Sequence, residues 1–336
     1  MKKKWLAVAL IAVLLLGIAG CGAQETEDAN EASSTGSEKA TLVVGSAPGP
    51  VCYGLAYMAE NPADDLALEL KPWNKYDQLL AMITSDQVNI SSTPLTNAFM
   101  LYNNGVDVQL INVLVWGMLY VVSPEDTVQS IADLKGQQIA VNSQGSNHDL
   151  ILRHLLINNG LDPEQDLEII YMDFPEASSK LASGELKYAV LNEPNSSMAT
   201  LNARKGGVEL NRVLDLQKEW QQLTGQETAR IPQAGFVVVN SSQLDKGVVE
   251  KFQQNLTDAV KWINDNPEEA GSLVEKHFDW MKAPAVQQSL QFARLELVPA
   301  ADCQKEIEAF YTELSKTAPA EALGGKLPDA GFYFQP

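Results

Sequence analysis

Apolar residues recur along this chain with two different spacings. From residue 41, short apolar or alternating stretches typical of strands are separated by stretches with apolar residues at i, i+3, i+4 and i+7, the spacing of one helix face. The first series predicts strand 41–46, an apolar stretch 51–60, strand 66–70, helix 76–83, strand 88–91, helix 95–102 and a strand region 108–122 that is broken at Gly117.

A second series starts near residue 130 and leads into a mainly helical end. It predicts strands 139–141, 167–172, 188–191, 213–216 and 236–239, and helices 150–159, 175–184, 196–204, 248–263, 267–277, 285–295 and 303–316. Strands that alternate with helices favour parallel pairing and helix-covered sheets. We therefore expect an α/β fold of two lobes, each a mainly parallel sheet flanked by helices. The first lobe would contain 41–125 and 232–336, and the second 126–231.

The first twenty residues have the parts of a secretory signal peptide. Three lysines precede an uncharged apolar run at 5–18, which is shorter than the ~20 residues of a membrane-spanning helix. The run ends in Ile18-Ala19-Gly20-Cys21, which resembles the lipobox of bacterial lipoproteins. The resemblance implies cleavage after residue 20 and lipidation of Cys21. A plain signal peptide or an uncleaved anchor are the alternatives.

The next segment, 21–40, is predicted to be a flexible tether. Residues 22–39 contain five acids and no large apolar side chain, so they cannot bury enough surface to offset the entropy of ordering. The whole chain has a net charge of −19, which becomes −22 without the three N-terminal lysines. Such an acidic chain is not expected to bind nucleic acid, because phosphate binding needs clustered Lys and Arg.

Cysteine use fits an exported protein but does not fix a pairing. With Cys21 lipidated, Cys52 and Cys303 remain. The sequence allows either a disulfide between them or two unpaired buried thiols. No CxxC or Cys/His spacing indicates a metal site. The hydrophobic fraction of 45% and the charged fraction of 20% are ordinary for a soluble globular protein.

Loops of small and polar residues follow several predicted strands. In open parallel sheets ligands bind beyond the carboxyl ends of the strands, and here those ends are loops 46–50, 91–94, 143–147 and 192–194. Helices begin just after them, and the free N–H groups at helix N-termini suit a carboxylate, a sulfonate or a polarised carbonyl. Helix capping or turn formation is the alternative role for each polar residue.

Aromatic residues lie close to the same loops. A ring near a strand end could stack on a ligand and exclude water, or it could be core packing; Trp116, beside Gly117, is the favoured one because it lies at the lobe crossover. Glu193 could contact a cationic or hydrogen-bond-donating ligand, or it could lie in a hinge turn. The predicted ligand-binding residues are Ser46, Pro48, Gly49, Cys52, Tyr53, Trp73, Ser92, Thr93, Trp116, Gly117, Gly145, Ser146, Asn147, Phe174 and Glu193.

Several sequence segments, taken in order, resemble one known family. These are Ser46-Ala-Pro-Gly-Pro50, Ser92-Thr-Pro94, Asp133-Leu-Lys-Gly136 and Asn192-Glu-Pro194, together with the lipobox. They resemble substrate-binding proteins of bacterial ABC importers, in the nitrate, sulfonate, taurine and thiamine-pyrimidine-precursor branch. The chain departs from many members at Asn89 and at Lys187-Tyr188, so the resemblance does not carry over a ligand.

The resemblance implies a type II periplasmic-binding-protein clamshell. We expect a lipid-anchored, extracytoplasmic monomer that binds a small organic ligand between its lobes and delivers it to ABC permease subunits, without a cofactor. The alternative is an exported enzyme on the same fold, acting on a small heteroaromatic or organic-acid substrate. The group Ser146, His148 and Asp149 invites a triad interpretation, but sequence neighbours point in different directions, and we expect neither a catalytic nor a metal site.

Replacing Cys21 tests the anchor. Cys21→Ser removes the only sulfur that a lipid could be attached to at the lipobox, so the protein should stay unprocessed or leave the membrane fraction. Cell fractionation followed by intact-mass measurement checks this. A Cys21→Ser protein that is correctly processed and still membrane-bound would contradict the lipobox assignment.

Overall fold

The computed structural model describes residues 40–63, 66–241 and 243–336. The predicted signal peptide, Cys21 and nearly all of the predicted tether lie outside these residues. Within the described ranges, no helix combines the length and the apolar character needed to cross a membrane.

The described residues contain eleven strands, numbered here in chain order. They are β1 (Ala40–Ser46), β2 (Leu66–Pro72), β3 (Ile90–Pro94), β4 (Val108–Gly117), β5 (Leu119–Ser123), β6 (Gln138–Val141), β7 (Glu168–Tyr171), β8 (Tyr188–Asn192), β9 (Asn211–Asp215), β10 (Ala234–Val239) and β11 (Arg294–Pro299).

Eleven α-helices lie between and after these strands in the same ranges. They are α1 (Tyr53–Glu60), α2 (Tyr76–Thr84), α3 (Leu95–Asn103), α4 (Asn147–Asn158), α5 (Phe174–Ser183), α6 (Asn195–Lys205), α7 (Leu216–Thr224), α8 (Lys246–Asp265), α9 (Pro267–His277), α10 (Ala283–Ser289) and α11 (Ala300–Leu314).

The strands form two sheets. The first has the order β11-β4-β10-β3-β1-β2 and the second the order β7-β6-β8-β5-β9. In each sheet three neighbouring strands are parallel: β2, β1 and β3 in the first, and β7, β6 and β8 in the second. The remaining strands pair antiparallel. The predicted α/β architecture of two helix-flanked sheets is confirmed, and each sheet is mixed.

Helices cover the first sheet closely. Every residue of β10 is buried, as are all but one of β4, which indicates that both faces of these central strands are covered. Helices α3 and α11 contact each other through the rings of Phe99 and Tyr311, whose centroids are 4.5 Å apart. Helices α1 and α8 also contact each other. A Cβ on Gly54 would lie 2.8 Å from the side chain of Leu256, so glycine permits the close approach.

The chain crosses between the sheets at two places. The predicted strand region 108–122 is two strands that belong to different sheets, and Met118 separates them. The chain therefore changes sheet before the lobe boundary predicted at residue 125. It returns after α7, and β10 takes its place between β3 and β4 of the first sheet.

A buried glutamine forms hydrogen bonds at both crossings. The Oε1 atom of Gln217 accepts hydrogen bonds from the N–H groups of Met118 (3.3 Å) and Leu119 (3.0 Å), and its Nε2 donates to the carbonyl of Leu119 (3.0 Å). The side chain of Gln233, on the returning segment, donates to the same Oε1 at 3.3 Å. One amide thus links the outgoing and returning chains.

Two elements differ from the sequence prediction. The predicted helix 285–295 ends at Ser289, and Arg294–Pro299 is instead strand β11. β4 would otherwise leave an edge of unpaired N–H and C=O groups, and pairing with β11 satisfies them. Helix α7 was not predicted; it begins where the Asp215 carboxylate accepts from the N–H groups of Gln217 and Lys218.

Both cysteines in the described ranges are free thiols in buried positions. The Cys52 thiol donates to the Gly49 carbonyl at 3.1 Å, and Cys303 lies on α11 and donates to the Pro299 carbonyl at 3.3 Å. Burial raises the pKa of each thiol to about 12. Of the two arrangements that the sequence left open, the structure has the unpaired thiols.

The glutamine link makes a stability prediction. Gln217→Met keeps the length of the side chain but leaves the N–H groups of Met118 and Leu119 buried without an acceptor, so the free energy of unfolding should fall by about 2–4 kcal/mol. Urea unfolding measures it. Gln221→Met is the matched control on the same helix and should cost less than about 1 kcal/mol, because Gln221 bonds only at the exposed surface. Equal losses for the two variants would show that the link contributes little.

Candidate functional site

One cavity of about 150 Å³ lies where loops from both sheets meet. Each of the four segments predicted as strand-end loops contributes to it. Pro48, Gly49 and Pro50 come from the first; Pro94 and Asn192 are the last residues of β3 and β8, so segment 91–94 is strand and not loop, and Asn147 is the first residue of α4. The full set of described lining residues is Ala47, Pro48, Gly49, Pro50, Val51, Pro94, Val115, Met118, Asn147, His148, Asn192, Gln233 and Ala234.

The first-sheet side of the cavity is held by short local contacts. The N–H of Ala47, just after β1, donates to Ser92 Oγ at 2.8 Å, which ties the β1 loop to β3. Gly49 has φ 121°, a conformation that favours glycine, and it turns the chain into a short 3-10 helix at Pro50–Cys52. The two prolines beside Gly49 further restrict the loop, so this wall is stiff.

The second-sheet side is the N-terminus of α4. Ser146 Oγ caps this helix by accepting from the N–H of Asp149, and the Asp149 carboxylate accepts from the N–H of Gly145 at 2.8 Å. These bonds place Asn147 and His148 at the cavity. The ring of Phe174 packs edge-on against His148, with centroids 5.7 Å apart.

Two polar atoms on this side lack partners. Asn147 Oδ1 and His148 Nδ1 are buried, and no described atom is within hydrogen-bonding geometry of either. Burial lowers the pKa of His148 to about 4, because the charged imidazolium is poorly solvated there. His148 is therefore neutral at pH 7. Buried polar atoms are nearly always satisfied in folded proteins, so these two indicate a place where another molecule bonds.

The remaining lining residues come from the two crossings. Val115 and Met118 lie where β4 passes into β5, and Gln233 and Ala234 lie where the chain enters β10. None of these four is among the predicted ligand-binding residues. The break at Gly117 and the predicted return strand are the sequence signals that mark the two crossings.

The other predicted residues on β1, β3 and their loops make contacts inside the protein. Cys52 and Tyr53 are completely buried; the Tyr53 hydroxyl bonds to Ser289 Oγ of α10 at 2.9 Å. Ser92 holds Ala47, and Thr93 donates to the carbonyl of Pro94 at 3.2 Å. Ser46 is also buried, and its hydroxyl lacks a partner among the described residues.

The two predicted tryptophans are not among the described lining residues. The indole N–H of Trp73 donates to Ser91 Oγ at 3.1 Å inside the first-sheet core. Trp116 is 1% exposed, its N–H donates to the carbonyl of Glu296 at 2.8 Å, and the guanidinium of Arg230 lies 4.3 Å from its ring centroid. The favoured aromatic residue thus packs against β11 and Arg230.

Glu193 is bound by protein groups. The carboxylate is fully buried and accepts from Arg212 Nε at 2.8 Å, while its other oxygen accepts from the Ser197 hydroxyl at 2.7 Å. Arg212 in turn stacks on Phe292, 3.6 Å from the ring centroid. Phe292 follows α10, so this chain of contacts joins the second sheet to the segment that leads into β11. Glu193 therefore has a structural role in this connection.

Gly117 lies at the neighbouring contact. A Cβ at this position would lie 2.8 Å from Arg294 and 2.9 Å from Gln217, so a larger residue would push these side chains apart. Arg294 forms an ion pair with Asp215 at 2.7 Å, which again joins β11 to the second sheet.

The triad interpretation finds no support in the geometry. Asp149 bonds to Arg153 Nε at 2.9 Å, Ser146 caps the helix, and His148 Nδ1 has no partner in the described ranges. No group of three or more His, Cys, Asp or Glu side chains in the part of the chain described by the structure could hold a metal ion.

A larger groove of about 540 Å³ lies between α7 and α11. Its arginine, Arg230, is already paired with Glu306 through two hydrogen bonds of 2.7 and 2.6 Å. The groove is not formed by loops that end strands, where ligands of open α/β sheets bind. The smaller cavity is therefore the candidate site.

Comparison with known proteins identifies the family. A model of the NMT1-like family matches residues 78–278, more than half of the chain. The chain belongs to the NMT1-like family. This confirms the resemblance to the nitrate, sulfonate and taurine group that the sequence segments indicated. No curated protein matches the chain significantly.

Solved structures of similar proteins have the same fold. A protein described as an ABC transporter from Parabacteroides distasonis is 24% identical, with a TM-score of 0.74 over 88% of this chain and 99% of that one. The periplasmic aliphatic sulphonate binding protein SsuA of Escherichia coli is 17% identical, with a TM-score of 0.65 over 88% and 92%. SsuA of Xanthomonas axonopodis, bound to MOPS, is 16% identical, with a TM-score of 0.56 over 84% and 95%. These likenesses confirm the periplasmic-binding-protein fold of this NMT1-like chain.

The Glu193 pair makes a pH-dependent prediction. Burial raises the pKa of Glu193 above its ordinary value, and Arg212 opposes that rise. Arg212→Met leaves a buried, unpaired carboxylate, so the free energy of unfolding at pH 7 should fall by about 3–5 kcal/mol.

The loss should be smaller at pH 5 than at pH 7. Above the unfolded-state pKa of about 4.3, the variant's native state must keep a proton that the unfolded state releases, so its stability falls as pH rises. Denaturant unfolding at both pH values tests this. Lys261→Met, at an exposed pair with Asp265, should change stability by less than about 0.5 kcal/mol at either pH. A pH-independent loss for Arg212→Met would contradict the assignment.

Proposed function

We propose that this protein is an extracytoplasmic substrate-binding protein of an ABC importer. It captures a small organic molecule in the cavity between its two sheets and delivers it to the permease. One observation carries the proposal: segments at the carboxyl ends of four strands, β1 and β3 of one sheet and β6 and β8 of the other, meet at a single cavity. Membership of the NMT1-like family and the likeness to ABC importer proteins support it.

The cavity's position gives the ligand a mechanical role. Asn147 and His148 belong to the second-sheet side, and Pro48, Gly49 and Pro94 to the first. A molecule that contacts both sides favours the closed arrangement of the lobes by its differential affinity for that state. The permease then distinguishes loaded from empty protein by this closure.

The N-terminus fits the same role. We infer that residues 1–20 direct export, that lipid on Cys21 holds the protein at the membrane, and that residues 21–40 let the folded part reach the permease. A tether of this kind raises the local concentration of the protein near its partner without any new contact. The folded part acts as a monomer, since the cavity is formed within one chain.

Filling the cavity tests the proposed function. Met118 lies half-buried at the cavity, so Met118→Trp should occupy the space and abolish ligand capture. Wild-type protein incubated with a small-molecule extract of bacterial cells should retain a molecule in native mass spectrometry, and the variant should retain at least tenfold less. Met100→Trp, a half-buried position on α3 that does not line the cavity, should retain as much as wild type.

A folded Met118→Trp protein that still retains the molecule would place the binding site elsewhere. A wild-type protein that retains nothing from any extract would count against the proposed function itself.

A further inference from the structure

The lining of the cavity carries no formal charge. None of the thirteen described lining residues is Lys, Arg, Asp or Glu. The one titratable side chain, His148, has a pKa of about 4 and is neutral at pH 7. An anion or a cation entering this cavity would lose water without meeting an oppositely charged side chain, which is costly.

Backbone groups do not replace the missing charge on the first-sheet side. Three lining residues, Pro48, Pro50 and Pro94, are prolines, which have no N–H to donate. They stand at the starts of the 3-10 helix and of α3, where free N–H groups would otherwise suit an anion. Two donors there already have partners: the N–H of Ala47 bonds to Ser92, and that of Leu95 bonds to the carbonyl of Gln233.

Three arginines on or next to the segments that form the cavity are already paired. Arg153, on α4, bonds to Asp149 at 2.9 Å and to Glu164. Arg212 bonds to Glu193, and Arg294 to Asp215 at 2.7 Å. Turning any of them toward a ligand would leave a carboxylate without its cation, and for Glu193 that carboxylate is fully buried.

The cavity instead offers apolar surface and two hydrogen-bonding atoms. Val51, Val115 and Met118 supply the apolar surface, together with the proline rings. Asn147 Oδ1 and His148 Nδ1 are buried and unpartnered on adjacent residues of α4. The amide oxygen accepts hydrogen bonds, and so does His148 Nδ1 when the neutral ring carries its proton on Nε2, so the pair suits a group that carries N–H or O–H hydrogens.

We propose that, given the proposed function, the cavity takes a small uncharged molecule that donates hydrogen bonds to Asn147 and His148, and discriminates against sulfonates and carboxylates. The cavity volume of about 150 Å³ limits the molecule to roughly the size of a single substituted ring. This substrate class differs from the sulfonates named for two structurally similar proteins.

Pairs of neutral and anionic isosteres test this inference on the wild-type mature protein. Methanesulfonamide and methanesulfonate have nearly the same shape, as do nicotinamide and nicotinate, and each pair differs in charge and in an NH₂ donor. Isothermal titration calorimetry at pH 7 should give at least tenfold tighter binding for the neutral member of a pair. Tighter or equal binding of the anion overturns the inference and leaves the proposed function standing.

The molecule retained from the bacterial extract is judged by the same criterion. An uncharged molecule with N–H or O–H donors supports the inference, and a molecule charged at pH 7 overturns it. If neither the four probes nor any extract molecule binds, the inference fails together with the proposed function.

A substitution at Asn147 tests whether this side chain discriminates between neutral and anionic ligands. Asn147→Leu removes the amide and should reduce the preference for the neutral isostere at least tenfold. Asn202→Leu, an exposed position on α6, should leave the preference unchanged, and equal melting temperatures verify that both variants are folded. An Asn147→Leu protein with the full wild-type preference overturns the assignment to this amide.

Discussion

The buried amide of Gln217 is the interaction on which the two-sheet arrangement depends. A chain that leaves one sheet for another must break its ladder of backbone hydrogen bonds, and here the break at Met118 lies where the neighbouring residues are shielded from water. Such groups need partners, because a buried unpaired N–H or C=O is costly. Gln217 supplies them for the outgoing chain and also bonds to Gln233 on the returning chain. Since Met118 and Gln233 also line the cavity, the bonds that fix the crossing fix part of the candidate site as well.

Periodicity identified most of the elements because each buries one face or both. The strands and helices from β1 to β9 were predicted close to their places, and so was the return of the chain at β10. The sequence pattern failed where a neighbouring strand decides the structure. The predicted helix 285–295 extends into residues 294 and 295, but the open edge of β4 selects a strand there. No local pattern in 285–295 carries that information, because β4 lies more than 170 residues earlier in the chain.

The candidate site, like the fold, could be predicted from the sequence only in part. The segments at strand ends could be predicted, since strand ends in an α/β fold converge at one edge, and residues from all four segments do line the cavity. The directions in which the side chains point could not be predicted. Trp116 and Glu193 lie next to loop residues in sequence. In the structure Trp116 contacts Glu296 and Arg230, and Glu193 bonds to Arg212 and Ser197. Of these partners only Ser197 is local in sequence; Glu296, Arg230 and Arg212 come from other elements of the chain. The three prolines were visible in the sequence, and their chemical consequence emerged only when the structure put them around one space.

The two buried thiols have a consequence for how the chain matures. Burial keeps both thiols protonated at pH 7, and only the thiolate exchanges with disulfides. Cys52 and Cys303 are therefore chemically silent in an oxidising compartment as long as the native packing persists. The fold has no covalent cross-link between them, so it can be reached without an oxidase or a disulfide isomerase. Reductants should neither loosen nor inactivate it, and oxidants can reach these sulfurs only through molecules that have unfolded.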